Sequence, residues 1–236
     1  MPTEFIRFSV VHALAVSVSL ACIALVVASG RRGRAVEPAR EQTVRKAWIA
    51  CIIVVQVFTQ VWLNRPEAFS LQKSLPLYTC DIVPWIGLAA LLRPTRFNLS
   101  LSYFWGFGLS TWAFILPALD EGPAGMRFWL FWAGHMQILV TAAYLCFVDG
   151  YRPRAGDFGI AMQWTVVYAA LVVPLDILLD ADYGYFGSTS VIDALGPWPE
   201  RIAYLLFLEC VAYLALYWPW VLLRRSAGGK SRPAPR

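Results

Sequence analysis

The sequence has little charge, few histidines and no cysteine pattern typical of a metal site. Charged residues make up 15% of the 236 residues, whereas soluble domains carry about 25%, so the chain cannot cover a water-exposed surface with charge. Two histidines are too few for a zinc site built on three histidines, which argues against that class of membrane hydrolase. The chain has no CxxC motif, and all five cysteines lie in apolar runs, where an extracellular disulfide framework is not expected: Cys22, Cys51, Cys80, Cys146 and Cys210.

Apolar residues dominate the composition. They make up 58% of the chain, the mean hydropathy is +0.56, and 11 tryptophans suit aromatic belts at a membrane interface. Runs of roughly 18 or more apolar residues can cross a hydrocarbon core about 30 Å thick. Seven such runs predict an all-α, polytopic membrane protein. We expect a seven-transmembrane-helix bundle that forms one membrane domain over residues 1–223, with approximate spans at 8–29, 47–64, 75–92, 99–119, 128–148, 160–179 and 201–223.

The basic residues predict how this bundle is oriented. Of the 20 lysines and arginines, 15 fall in segments on the same side: 30–46, 93–98, 149–159 and 224–236. The positive-inside rule places this side in the cytoplasm, so the N-terminus of a seven-span protein lies outside and the C-terminus in the cytoplasm. The basic tail 224–236 is rich in proline and glycine. It is predicted to be disordered and to rest on anionic lipid.

Polar residues within the spans lie at one depth. At 1.5 Å per residue they fall roughly 5–12 Å below the outer surface, while the inner halves of the spans contain almost no ionisable group. Ionisable groups inside a membrane are costly, and they are usually functional or paired. The predicted outer polar layer contains Gln60, Cys80, Asp81, His135, Asp176 and Glu209.

Cys80 and His135 are the pair with the clearest chemistry. A thiol needs a base or a positive charge nearby to react as a thiolate, and a histidine at matching depth on another helix could supply the base. The alternative is structural, with Cys80 as a small hydrophobic residue and His135 as a hydrogen-bonding residue between helices. Spacing and depth alone favour this structural alternative.

Two acids and one loop complete the candidate site. Glu209 and Asp176 could orient the histidine or pass protons, or they could only form hydrogen bonds between helices. The outer loop 180–200 is acidic and contains no lysine or arginine. It could cover the polar layer as a lid, or it could be a passive connector.

Short motifs along the chain resemble a known family by their order and spacing. They are LPLYTCDI at 75–82, GHMQ at 134–137, DGYRP at 149–153, and DYGYF with LGPWP within 182–199. Together they resemble the YwaF-like integral membrane proteins of bacteria. A related vertebrate branch is regarded as a phospholipid acyltransferase that acts through a cysteine and a histidine. The resemblance runs from about residue 47 to about residue 223.

The resemblance implies a function for the polar layer. Cys80 matches the acyl-accepting cysteine, and His135 matches its partner. The chain departs from the family at Tyr78, where histidine is common, and at Asp182, where asparagine is usual. These departures concern the loop site and headgroup recognition.

The resulting prediction is a cysteine-dependent acyltransferase acting on membrane lipid from an outward-facing site. Glu209 or Asp176 would orient the histidine, and Gln60 or Gln137 would stabilise the intermediate. We expect membrane lipid as the partner, no nucleic acid, no metal and no cofactor, in a bacterial-type cytoplasmic membrane. The alternative is a non-enzymatic membrane sensor, small-molecule binder or assembly factor built on the same bundle.

Overall fold

A computed structural model describes residues 3–67, 69–187 and 196–229. Five of its helices are long and apolar enough to cross a membrane, so the chain is an all-α, polytopic membrane protein, as predicted. In chain order the α-helices are α1 (Val10–Val36), α2 (Pro38–Leu63), α3 (Thr79–Leu92), α4 (Arg96–Tyr103), α5 (Trp112–Ile115), α6 (Met126–Phe147), α7 (Ala155–Leu179) and α8 (Glu200–Gly229). The five long helices are α1, α2, α6, α7 and α8.

Helix α6 lies at the centre of the bundle. It is buried without a break from Gln137 to Cys146, and it packs against α1, α2, α3 and α4. Helices α1 and α2 form a hairpin in which a single residue, Glu37, separates the two helices. Gly33 makes this tight turn possible, because a Cβ atom there would lie 2.7 Å from the backbone nitrogen of Glu41.

The segment predicted as the fourth span, 99–119, is a broken helix. A π-helical turn over Phe104–Leu109 separates α4 from α5. Its two glycines allow close packing on both sides of the segment. A Cβ atom at Gly106 would lie 3.2 Å from the Cβ of Ala142 in α6, and one at Gly108 would lie 2.7 Å from Cε1 of Tyr213 in α8. The π turn therefore lets one segment contact two neighbours.

The third membrane segment is only partly helical. Helix α3 has 14 residues and begins at Thr79, four residues later than the predicted start of its span. It is about 21 Å long at 1.5 Å per residue, which is shorter than the hydrocarbon core of about 30 Å. The non-helical segment 70–78 therefore extends the crossing. Such backbone is tolerated at membrane depth only where the protein satisfies its polar groups.

The loops gather at the two ends of the bundle. At one end the N–H of Phe5 donates to the carbonyl of Asp120 over 2.7 Å. At the other end Nη2 of Arg34 lies 2.7 Å from Oδ1 of Asp149, which ties the end of α1 to the loop after α6. Part of the predicted disordered tail is helical, because α8 continues to Gly229. Residues 230–236 of that tail lie outside the described residues.

Candidate functional site

Cys80 lies in the first turn of α3. The helix begins at Thr79, with Tyr78 as its N-cap, so Cys80 is the second residue of the helix. The first N–H groups of a helix have no partner within the helix and carry its positive end. Reactive cysteines are often found at such positions. The other four cysteines lie beyond the first turn of their helices.

Two tyrosines hold the non-helical segment in front of Cys80. The Tyr183 hydroxyl donates to the carbonyl of Leu71 over 2.7 Å and accepts the N–H of Leu75 over 3.2 Å. The Tyr168 hydroxyl donates to the carbonyl of Leu77 over 2.7 Å. Both rings are buried, with Tyr183 fully enclosed. These bonds satisfy backbone groups that would otherwise lack partners at membrane depth, so the tyrosines fix where α3 starts.

Tyr168 lies near the candidate site. Cys80, Asp81, Asp176 and Glu209 are close enough to act electrostatically on its hydroxyl. These residues come from α3, α7 and α8. The structure thus gathers the candidate nucleophile and three of the predicted acids around one tyrosine, which the sequence analysis did not identify.

Packing between α3 and α6 places Cys80 and His135 at the same level. The two helices run in the same direction, because Arg45 binds both the carbonyl of Leu91, at the end of α3, and Asp149, just after the end of α6. A Cβ atom at Gly87 in α3 would lie 2.9 Å from Cγ2 of Thr141 in α6. Seven residues earlier, two turns along the same faces, stand Cys80 and Gly134. A Cβ atom at Gly134 would meet no atom within 4 Å, so there is open space beside α6 at the level of Cys80.

His135 follows Gly134, and its protonation pattern is fixed by its own helix. Nδ1 lies 2.8 Å from the carbonyl oxygen of Phe131. A carbonyl only accepts, so Nδ1 carries the proton and Nε2 keeps its lone pair. The imidazole also packs against the Phe131 ring, with 4.3 Å between centroids. Among the described residues no hydrogen bond joins His135 to Cys80. The structure therefore brings the pair to one level without linking them directly.

Asp176 holds the loop after α7. Its Oδ1 accepts the N–H of Tyr183 over 2.8 Å, and the left-handed Asp180 (φ 50°) turns the chain back over the bundle. Among the described residues neither Asp176 nor Glu209 forms a hydrogen bond with His135, whose Nδ1 contacts the Phe131 carbonyl.

The returning loop packs against Tyr78, at the start of α3. Burial raises the pKa of Tyr185, and the neighbouring Cys80, Tyr78 and Asp182 raise it further. The Tyr78 ring also packs edge-on against Tyr183, with 4.9 Å between centroids. Residues 188–195 of the predicted lid lie outside the described part of the chain.

Several buried polar atoms near this level have no hydrogen-bond partner in the described part of the chain. They include both side-chain amide atoms of Gln137, Oε2 of Glu209, Oδ2 of Asp176 and Nε2 of Gln60. An unpaired buried polar group costs about 1–3 kcal/mol. A layer of such groups is suited to contact with a polar substrate, and it includes the two glutamines predicted to stabilise an intermediate.

The sequence analysis did not identify Tyr168, and it gave Tyr183 no separate role. Tyr183 belongs to the DYGYF motif and could have been selected from it. Tyr168 lies in the uninterrupted apolar run VVYAALVV, where no spacing distinguishes it from an ordinary core residue. Only the packing of α7 beside the segment 70–78 reveals its contact.

Comparison with known proteins gives a family. The family profile of the TMEM164 family matches residues 7–218, a range that includes every candidate residue of the polar layer. No curated protein and no solved structure matches the chain significantly. The match identifies a membrane-protein family and does not by itself show a relation to the YwaF-like proteins or an acyltransferase activity. The chain belongs to the TMEM164 family.

Proposed function

We propose that the protein transfers an acyl chain between membrane lipids through a thioester on Cys80. The observation that supports this best is the position of Cys80, in the first turn of α3 and beside the polar groups around Tyr168. A cysteine that only fills the core requires neither a position in the first turn of a helix nor polar groups nearby. The proposed substrate is a phospholipid in the outer leaflet.

The proposed reaction has two halves. In the first, the Cys80 sulfur attacks an ester carbonyl of the phospholipid while Nε2 of His135 takes the thiol proton. The ester C–O bond breaks, the proton passes to the departing glycerol oxygen, and the acyl chain stays on sulfur as a thioester. In the second, an acceptor hydroxyl loses its proton to His135 and attacks the thioester, and His135 returns the proton to the sulfur.

Neighbouring groups suit the negative charge that develops in each half. The carbonyl oxygen of the tetrahedral intermediate needs hydrogen-bond donors placed in advance. The unpartnered amide of Gln137, on the helix face beside Gly134, is the donor that we assign. The backbone N–H groups of Thr79 and Cys80 are further donors, because those of Asp81 and Ile82 already bind the Tyr78 carbonyl. Glu209 and Asp176 supply polar surroundings in this proposal, and the Phe131 carbonyl orients the base.

A trapping experiment tests the proposal. The purified chain is placed in vesicles with a phospholipid that carries a labelled acyl chain, and peptides are analysed by mass spectrometry. We expect a hydroxylamine-sensitive acyl adduct on Cys80, its loss in Cys80→Ala, and its accumulation when no acceptor lipid is added. Cys210→Ala is the matched control, because Cys210 lies in α8 beside Glu209, and it should keep the adduct.

A non-catalytic lipid binder would use the same unpartnered polar atoms without a covalent step. Such a protein would retain the labelled lipid but carry no adduct, and Cys80→Ala would bind the lipid as well as the original chain. That combination would overturn the acyl-transfer proposal.

A further inference from the structure

The opposite end of the bundle contains a basic pocket. It has a volume of about 910 Å³ and lies where the C-terminal ends of α1, α3 and α8 meet the N-terminal parts of α2 and α4 and the loop after α6. Six arginines from five separate parts of the chain line it: Arg34, Arg45, Arg96, Arg152, Arg154 and Arg224. Convergence of this kind differs from arginines scattered along a membrane surface, which serve as topology anchors.

The pocket has an excess of positive charge. Its arginines have three carboxylate partners among the described residues. Asp149 pairs with Arg34 and Arg45, and Arg45 also binds Glu41 with 2.9 Å between Nη2 and Oε1. Asp157 pairs with Arg96. Six guanidinium groups against three carboxylates leave a net charge of three positive.

Arg152 lines the pocket and is exposed, and within the described part of the chain its guanidinium group donates no hydrogen bond and forms no ion pair. The guanidinium group of Arg154, which is also exposed, has no ion pair there either. By contrast, Arg224 donates to the carbonyl of Pro153. A guanidinium group with unused donors binds a phosphate oxygen through paired, charge-assisted hydrogen bonds.

The remaining walls of the pocket are apolar. They are formed by Leu91, Pro94, Leu99, Trp220 and Leu223, which belong to or adjoin membrane helices. A site of this composition matches a molecule with an anionic group and an apolar body. Basic pockets between helices at the cytoplasmic face bind the headgroups of acidic lipids for the same reason.

We propose that this pocket binds the phosphate group of an anionic phospholipid from the cytoplasmic leaflet. Arg152 contacts the phosphate, the paired arginines supply the surrounding positive field, and the apolar walls receive the first part of the acyl chains. The site is separate from the Cys80 layer and does not depend on the chemistry proposed there.

Titration of the delipidated full chain in detergent, followed by native mass spectrometry, tests the proposal. The added probes are phosphatidylglycerol, phosphatidylcholine and glycerol phosphate. We expect phosphatidylglycerol to bind in preference to phosphatidylcholine, and Arg152→Gln to weaken its binding about tenfold, the effect of one charge-assisted hydrogen bond. Arg32→Gln is the matched control. Arg32 is an exposed arginine of α1 that does not line the pocket, so its loss should leave binding unchanged.

Three results would overturn the proposal. Equal binding of phosphatidylglycerol and phosphatidylcholine would show that the pocket has no preference for an anionic lipid. An equal loss of binding in Arg152→Gln and Arg32→Gln would show that only general surface charge attracts the lipid. Binding of glycerol phosphate as tight as that of phosphatidylglycerol would assign the pocket to a free phosphate compound and exclude the lipid. The thermal midpoint without added lipid shows that each variant is folded, and the Cys80 adduct reports separately on the proposed function.

Discussion

Two tyrosine side chains hold the backbone segment that precedes Cys80. The Tyr183 hydroxyl bridges the carbonyl of Leu71 and the N–H of Leu75, two backbone groups of a segment that has no helix to satisfy them. Each lost bond leaves a polar group without a partner in apolar surroundings. Tyr183 is thus a structural requirement for the position of Cys80.

Replacing Tyr183 with Phe tests this role. We expect the free energy of unfolding to fall by about 2 kcal/mol, because one buried acceptor and one buried donor lose their partner. The measurement is denaturant unfolding of the purified chain in detergent. Tyr204→Phe is the control, since Tyr204 is 49% exposed, and it should change little. Equal stability of both variants would show that the hydroxyl does not hold the segment.

Helices α3 and α6 set the register of the candidate site through one close contact. Gly87 admits Thr141 at a distance that a side chain would forbid, and Thr141 is itself fixed by a hydrogen bond of 3.0 Å from Nε1 of Trp48. Two turns away, Gly134 faces open space. The two glycines therefore differ in their tolerance of a methyl group.

Paired substitutions test this register. Gly87→Ala should destabilise the protein by about 1–3 kcal/mol, as overpacking in a well-packed interior does. Gly134→Ala should be neutral or stabilising, because alanine favours a helix by about 1 kcal/mol over glycine. Thermal unfolding in detergent compares the two. A larger loss for Gly134→Ala than for Gly87→Ala would contradict the register, and with it the shared level of Cys80 and His135.

The five long helices could be predicted from apolar runs, because a run of that length has few alternatives in a membrane. The start of α3 could not be predicted. LPLY at 75–78 is as apolar as the helix that follows. Pro76 disfavours helical backbone at Leu75, and Tyr168 and Tyr183 bind the non-helical backbone of this segment. The π turn over Phe104–Leu109 could not be predicted either. Gly106 and Gly108 can adopt several conformations, and the observed one depends on their packing against α6 and α8.

The candidate site could likewise be predicted only in part. Depth along each helix gave the layer that contains Cys80 and His135, because rise per residue is a constant of the helix. Which groups meet within that layer depends on rotation and packing. Periodicity could not reveal that Asp176 binds Tyr183 or that Phe131 binds His135.

The whole molecule has an asymmetric distribution of charge that predicts its orientation in the membrane. The loops with 15 of the 20 basic residues belong to one side, and the structure joins several of them at one end through Asp149 and Pro153. We expect a reporter fused to the C-terminus to be active only in the cytoplasm. Activity only on the outer side would reverse the orientation and move the polar layer to the inner leaflet.

Labelling with a thiol-reactive lipid probe tests the central claim, that Cys80 is an activated nucleophile served by His135. The measurement is the rate of labelling at each cysteine, resolved by mass spectrometry. We expect Cys80 to react faster than Cys22, Cys51, Cys146 or Cys210, and His135→Ala to slow Cys80 by about tenfold or more, as loss of a general base does, while the thermal midpoint stays within a few degrees. Equal rates at Cys80 and Cys210 that do not respond to His135→Ala would contradict the claim and leave both residues with structural roles.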